Sequence, residues 1–492
     1  MEGGGCKVGT RRPCGVSDTG LCKKGDQVCE SDGSWGVCEN AIFPTPEFCG
    51  DGKDNDCDGK ADEAECTWVT IPTTPKAAKG LDIAVDLQEN AYVVGEFTGS
   101  LKFGNIVECK NQGQADLFVV KVGPDGKYLW VRCYGKGGQE RARAVAVDNK
   151  GFVYIAGDFS SQFSFGSIPL RSVGKADAFI VKMQASDAKV IWAKSGGGKE
   201  VDRCVGVAVH PGDGSVYCSG EIEGKASFGS VSLAHAGKKD GFVVKLDAKG
   251  KALWARTIGN SDIALTTCVR LDAQGNMYTV GYFLGTTSIF SQKTIKSPNN
   301  KRLGFILKTD AKGTLTWIRT LTANTVVGVD VDAQGKVLIC GSFGSQMQAG
   351  SLIGKGGIAA SGYIAQLDAQ GTFEWLTTAK SQKANYCFNV KANAQNIYTT
   401  GFYIGQVSFG PISLKATNSS TNDIFISATD RRGRYQWAVT LGGRAGDVGL
   451  AVAASRKGAV YATGQFSSLS KFGPKIQHRT TDATLYILKF FP

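Results

Sequence analysis

One tryptophan returns seven times along this chain, and its period limits the fold more than any other feature. Trp68, Trp130, Trp192, Trp254, Trp317, Trp375 and Trp437 stand 62, 62, 62, 63, 58 and 62 residues apart. Behind each lies a glycine-flanked stretch whose clearest copy, residues 144–159, reads AVAVDNKGFVYIAGDF. The phrase FG follows at Phe165-Gly166, then DAFIVK from Asp177, then the next tryptophan. A second marker keeps step: Gly95, Gly157, Gly220, Gly281, Gly341, Gly401 and Gly464 each stand three residues after a tyrosine, or after Leu338 in one copy. A period this long with strand-like content signals a propeller or a related array.

Each unit reads as four strands. The copy after Trp130 predicts them at 144–148, 152–159, 178–183 and about 190–194, with apolar and small residues alternating and Gly or Asp-x-x-Gly turns between. Glycine supplies 65 of 492 residues, well above the ~7% of ordinary chains, as many tight turns require. Trp68 decides closure. It precedes Asp86 by 18 residues, the same interval as Trp130 to Asp148 and Trp254 to Asp272, so residues 68–71 belong to the array despite Pro72 and Pro75. The last unit ends at YILKFF with no outer strand after it, so the first strand is expected to complete the last blade and remove the open edge. The expected fold is all-β: a seven-bladed β-propeller over residues 67–492, closed by its N-terminal strand and preceded by a small disulfide-rich calcium-loop domain, residues 1–66.

Eight of the fifteen cysteines lie in that head: Cys6, Cys14, Cys22, Cys29, Cys38, Cys49, Cys57 and Cys66. With few Leu, Ile or Val residues, the head needs covalent staples or a metal. Zinc would want C-x2-C knuckles and usually histidine, and the head has neither. Disulfides and an oxidising compartment are therefore expected, with connectivity left open. Cys6 is also considered as a lipid-bearing cysteine, although no apolar stretch precedes it. Of the seven later cysteines, Cys204 and Cys218 flank the turn at His210–Gly214 and could bridge a hairpin or remain buried thiols.

Asp54 to Glu65 reads DNDCDGKADEAE and satisfies D-x-[DN]-x-[DN]-G-x5-E in full. Asp54, Asp56 and Asp58 would converge as Gly59 turns the chain, Lys60 would offer its carbonyl, Asp62 a direct or water-mediated contact and Glu65 two oxygens. Hard oxygen donors select calcium (Ca2+) over zinc or copper. Pro46 and Cys66 stand where flanking helices would begin, so the expectation is a calcium loop pinned by disulfides with no hinge to open.

Two resemblances follow from these residues. The order CGDGKDNDCDGKADEAEC, preceded by CKKGDQVCESDGSWGVC, resembles the MopE-type metal-binding repeat over residues 6–66, which implies a secreted or surface protein of myxobacteria or related bacteria. That resemblance carries an association with copper, yet His210, His235 and His478 all lie outside the head. The phrases GxF…FG…DxFVVKxDxxG…W resemble the bacterial SBBP-type β-propeller repeats, which imply surface or secreted binding proteins. In this frame Leu303 and Ser361 replace the aspartate of Asp116, Asp177, Asp240, Asp423 and Asp482. Gln366 and Ala428 replace the lysine of Lys121, Lys182, Lys245, Lys308 and Lys489. Loss of either residue from copies whose apolar frame is intact marks it as a turn device. Residues 247–254 also resemble the tryptophan-docking motif of quinoprotein dehydrogenases, which have eight blades where this repeat counts seven; the tryptophans are read as blade-packing residues.

No G-x-S-x-G, HExxH or P-loop is present, so no catalytic residue and no cofactor besides calcium is assigned. Glu96, Asp158 and Glu221, each directly after a repeat glycine, fall on consecutive blades near the axis. They are read as solvent-facing strand ends, with a polysaccharide hydrolase or lyase as the alternative. The chain carries +12 in total, whereas residues 1–67 hold seven Lys/Arg against fourteen Asp/Glu; the array alone therefore carries +19. An acidic partner, a surface polymer or a protein, is expected for the array, with the acidic head projecting away from it. The lysines recur once per repeat, which disfavours a nucleic-acid patch. No run of about 18 apolar residues exists to span a membrane. The leading reading is an extracellular or outer-membrane-surface binding scaffold.

Overall fold

A computed structural model of the chain describes residues 6–45, 53–61, 68–74, 76–260, 262–298, 301–467, 469–471, 477–479 and 482–490. The described residues form a ring of seven antiparallel four-stranded blades, without an α-helix. The innermost strands are Ala78–Val85, Glu140–Val147, Asp202–Val209, Ala264–Leu271, Thr325–Val331, Ala384–Ala392 and Val448–Ala454, which define blades 1 to 7. In blade 2 the second, third and outer strands are Phe152–Phe159, Asp177–Gln184 and Val190–Gly198. Second and third strands lie between neighbouring blades and are buried on both faces; Val216–Ile222 and Asp240–Leu246 are buried throughout. Near-continuous apolar runs at these positions have that cause.

Blade 7 closes as expected. Trp68, Val69 and Thr70 pair with Lys489, Leu488 and Ile487 of Thr484–Phe490, so the N-terminal strand is its outer strand.

The four-strand reading of each unit was short by two strands. Between its second and third strands each unit inserts a small hairpin, such as Gln162–Phe165 with Ile168–Arg171. The FG phrase is its tip, where Gly166 adopts φ +60°. In blades 3 to 7 the hairpin extends the preceding blade, as where Gly197 and Gly198 of blade 2's outer strand pair with Ser227 and Ala226; in blades 1 and 2 it stands as a separate two-stranded sheet. Strands of three or four residues are too short to announce themselves by alternation, which is why sequence periodicity passes over them. The frame also shifts in the last unit. Thr484, not Asp482, pairs with Phe466 as Asp177 pairs with Phe159.

The repeating tryptophan joins blades. In four copies its indole N–H donates to a turn carbonyl of the next blade: Trp68 to Pro124 at 2.9 Å, and Trp130 to Ala185, Trp192 to Ala248 and Trp317 to Ala369 at 3.1 Å; the Trp254 and Trp375 indoles lack this bond. The repeat lysine donates to the same turn, Lys121 to Ala185 at 3.0 Å, while its ammonium sits 5.3 Å from the ring centre of Tyr92. Lysines and tryptophans are thus inter-blade fasteners, and their once-per-repeat rhythm is structural.

In the head, Cys6–Cys29, Cys14–Cys38 and Cys22–Cys57 are disulfides around the short strands Arg11–Cys14 and Gly25–Val28. Cys49 and Cys66 lie outside the described residues. The head does not project from the ring. The Cys38 amide donates to Pro411 O at 2.9 Å, Lys380 of blade 5 approaches Asp32 at 3.7 Å, and Phe43 packs on the core of blade 6. The acidic head instead lies against part of the basic array. In the propeller Cys109–Cys133 and Cys204–Cys218 are bonded, whereas Cys268, Cys340 and Cys387 are buried thiols. Among the described residues no helix is long and apolar enough to cross a membrane. The disulfides fit an extracellular protein.

Candidate functional site

Every inner strand carries one β-bulge, and the seven bulges build the axis. Register slips between Gly80 and Asp82, Ala142 and Ala144, Cys204 and Gly206, Thr266 and Cys268, Val326 and Gly328, Cys387 and Asn389, and Gly449 and Ala451. The extra residues are Leu81, Arg143, Val205, Thr267, Val327, Phe388 and Leu450, and all seven line the same axial channel. A bulge re-aims a side chain in this way. The repeat glycine makes it possible. A Cβ on Gly95, Gly157, Gly220 or Gly401 would stand 1.8 Å from the carbonyl oxygen of Lys79, Arg141, Arg203 or Tyr386 on the inner strand. Only a hydrogen fits there, so the glycine marker of the sequence is the marker of the bulge.

The residue after that glycine sits at the funnel mouth. In blades 1 to 3 it is Glu96, Asp158 and Glu221, which the sequence singled out as axial acids facing solvent. None of them is free. Arg141 Nε of blade 2 donates to Glu96 at 2.7 Å, with Lys79 Nζ 3.7 Å away. Arg143 Nε and Arg203 hold Asp158, and Arg203 Nη1 also holds Glu221. Four cations and three carboxylates thus form a ladder across three blades, with the acids 4–17% exposed at their side chains. The cationic partners were invisible in sequence because they stand on other strands, Arg141 being 45 residues from Glu96.

The opposite wall is aromatic. In blade 6 Tyr386 stacks on Phe402 with centroids 5.1 Å apart, and Phe388 lies 5.6 Å from Phe402. Phe402 takes the place that the acids take in blades 1 to 3. Arg141, Arg143, Phe388 and Phe402 line one cavity of about 390 Å³ at this mouth. Below the bulged ring, Asp82, Arg270, Asp330 and Lys391 form a charged floor: Lys391 Nζ meets Asp330 at 2.9 Å, and burial pushes the Asp82 carboxyl up against the pull of Arg270. Flat aromatic faces beside guanidinium groups suit a ligand with both ring faces and anionic groups.

The calcium-loop candidates are brought together in part. Ligand oxygens of Asp54, Asp56 and Asp58 lie within 4.8 Å of one another. Cys57 (φ +68°) and Gly59 (φ +98°) turn the chain, and the Gly59 amide donates to Asp54 Oδ2 at 3.0 Å. Asp54 Oδ1 is buried without a hydrogen-bond partner. Desolvation, with Asp58 and Asp54 beside it, raises the Asp56 carboxyl. Three converging carboxylates with an orphaned oxygen fit a hard cation. Lys60 follows in the same turn, donating its amide to Asp58 at 2.9 Å. Asp62 and Glu65 lie outside the described residues.

Fold and funnel together define the class: a seven-bladed β-propeller with an amphipathic axial mouth. No family model and no curated protein matches the chain. Among solved structures it is similar to the WD40 domain of Neurospora crassa Pan2 (11% identity, TM-score 0.44, 87% of this chain and 96% of that one). It is also similar to the WD40 propeller domain of Doa1 (10% identity, TM-score 0.44, 86% and 97%) and to a europium-containing methanol dehydrogenase (10% identity, TM-score 0.38, 86% and 93%).

Proposed function

We propose that this protein is a secreted or cell-surface binding scaffold, related to the MopE-type and SBBP-type repeat proteins. Its funnel takes an anionic ligand, an acidic surface glycan in the first place. The observation that carries this reading is the ion pairing of Glu96, Asp158 and Glu221. A glycoside hydrolase needs one carboxyl free to give a proton and a second free to attack or activate water. Here each axial acid is ion-paired with at least one arginine, and the mouth keeps an excess of cationic groups next to an aromatic platform. The array's +19 charge would steer an acidic polymer towards it. In the head, Asp54, Asp56, Asp58 and the Lys60 carbonyl, with Asp62 and Glu65, would hold Ca2+ at the roughly 10⁻⁴–10⁻³ M affinity usual for extracellular modules.

The test is a panel of acidic and neutral polysaccharides, scored for both retention and release of reducing ends. The Glu96→Gln/Asp158→Asn/Glu221→Gln variant runs in parallel. Retention without turnover supports the scaffold. Turnover by the wild type that the triple variant abolishes would establish the hydrolase instead.

A further inference from the structure

Two blade junctions enclose a pair of buried carboxylates around a gap that a glycine leaves open. Between blades 2 and 3, Asp177 and Asp202 are 2% and 1% exposed. The point where a Cβ would stand on Gly197 lies 2.8 Å from Asp177 Oδ1 and 2.9 Å from Asp202 Oδ2. Val173 N and the Ser172 hydroxyl donate to Asp177, and Gly198 N donates to Asp202 Oδ2 at 2.7 Å. Asp202 Oδ1 has no partner. Burial, and at Asp202 also the charges of Asp177 and Glu223, raise these carboxyls, while hydrogen bonds lower both.

The arrangement repeats between blades 6 and 7. There Asp423 Oδ1 and Asp447 Oδ2 lie 3.2 and 2.8 Å from the missing Cβ of Gly442, and Asp423 Oδ1 is again buried without a donor. The junction of blades 1 and 2 shows the contrast. Its pair, Asp116 and Glu140, has every oxygen met by a neutral donor: Asn111, Gln112, Ser161 and the Lys136 amide. Glycine and aspartate also go together within the chain. Gly135, Gly197, Gly259 and Gly442 accompany Asp116, Asp177, Asp240 and Asp423; where Leu303, Ser361 or Thr484 stands instead, the glycine position holds Thr322, Lys380 or Thr73.

We propose that the gaps at Gly197 and Gly442 each hold a calcium ion, bridging Asp177 to Asp202 and Asp423 to Asp447. Two carboxylates buried against one gap are costly, and a dication cancels their charge in one step. All donors are oxygens, which disfavours zinc and copper, and Mg2+ dehydrates reluctantly and demands octahedral geometry. The ions would tie the outer part of one blade to the inner strand of the next, where the two acids stand on different sheets. These sites are separate from the head loop and do not depend on the funnel's ligand.

The full chain carrying Asp54→Asn and Asp58→Asn, which disables the head loop, is the parent for the test. Equilibrium dialysis at millimolar calcium should give two ions per chain, and adding Asp202→Asn with Asp423→Asn should remove both. The parent's melting temperature should rise by several degrees between EDTA and calcium, and that of the quadruple variant should stay level. A parent that binds no calcium, or a quadruple variant that binds as much, overturns the proposal; a proton shared by each pair would give the first result. Should the asparagine variants fail to fold, terbium-soaked crystals of the unaltered protein decide. Anomalous peaks at both gaps support the sites, and peaks confined to the head loop overturn them.

Discussion

Arg141 of blade 2 donates its Nε to Glu96 of blade 1 at 2.7 Å, and this contact turns a candidate catalytic acid into a blade-to-blade fastener. Both side chains are less than a quarter exposed, so the pair is only partly screened. Arg141→Met should cost about 1–2 kcal/mol in urea unfolding, because Glu96 is left half-buried with Lys79 alone. Glu96→Gln in the Arg141→Met background should recover part of that loss. Full additivity of the two changes would mean that they do not interact.

Gly157 should be close to irreplaceable. Its Cβ would stand 1.8 Å from Arg141 O and 2.8 Å from the Phe179 ring, so Gly157→Ala must flatten the bulge or part the strands. We expect a loss of at least about 2 kcal/mol, and a weaker funnel even where the ring still folds. Chemical unfolding reads the first effect and ligand titration the second.

Much of this ring was legible from the chain alone, for physical reasons. The tryptophan, the glycine and the closing strand 68–70 each serve one blade in one way, so their period reports blade count and closure. The FG hairpins escaped because three-residue strands have no readable alternation. Asp482 fits the repeat phrase by residue type, yet it stands two residues farther from Lys489 than Asp177 does from Lys182, and strand pairing puts Thr484 in that place. The funnel was half legible. Acids after the repeat glycine could be found, but a bulge breaks the period that says where Arg143 or Phe388 points, and the cations sit on other strands. The buried partners Asp202 and Asp447 drew no notice, since nothing in sequence marks a carboxylate as enclosed. Head docking through Asp32 and Lys380 showed beforehand only as a charge imbalance.

Ring closure predicts a second loss. A chain starting at residue 77 lacks the strand that pairs with Ile487, Leu488 and Lys489, and also the Trp68 bond to Pro124. It should expose an unpaired edge, melt at least several degrees lower than one starting at residue 67, and aggregate. Differential scanning calorimetry with light scattering checks this; equal melting would mean that blade 7 needs no fourth strand.

Stability should fall with rising pH when calcium is withheld. Burial is the main reason the Asp202 carboxyl is raised to about 7, and the charges of Asp177 and Glu223 add to it against the hydrogen bond from the Gly198 amide. A carboxyl that binds its proton more tightly when folded contributes stability that is complete below about pH 4 and is lost as pH rises through 7. In EDTA, the melting temperature should therefore decline from pH 5 to pH 8, and Asp202→Asn should flatten that decline. An unchanged slope in the variant would assign the effect to another group.

Affinity for polygalacturonate, measured by calorimetry on the wild type, Arg143→Gln and Phe402→Ala, tests the central claim most directly. An amphipathic funnel predicts wild-type binding that weakens steeply with salt, drops at least about tenfold in Arg143→Gln through the lost charge-assisted contact, and drops again in Phe402→Ala with little change in salt dependence. Binding that neither substitution alters would place the ligand elsewhere on the protein and contradict the account.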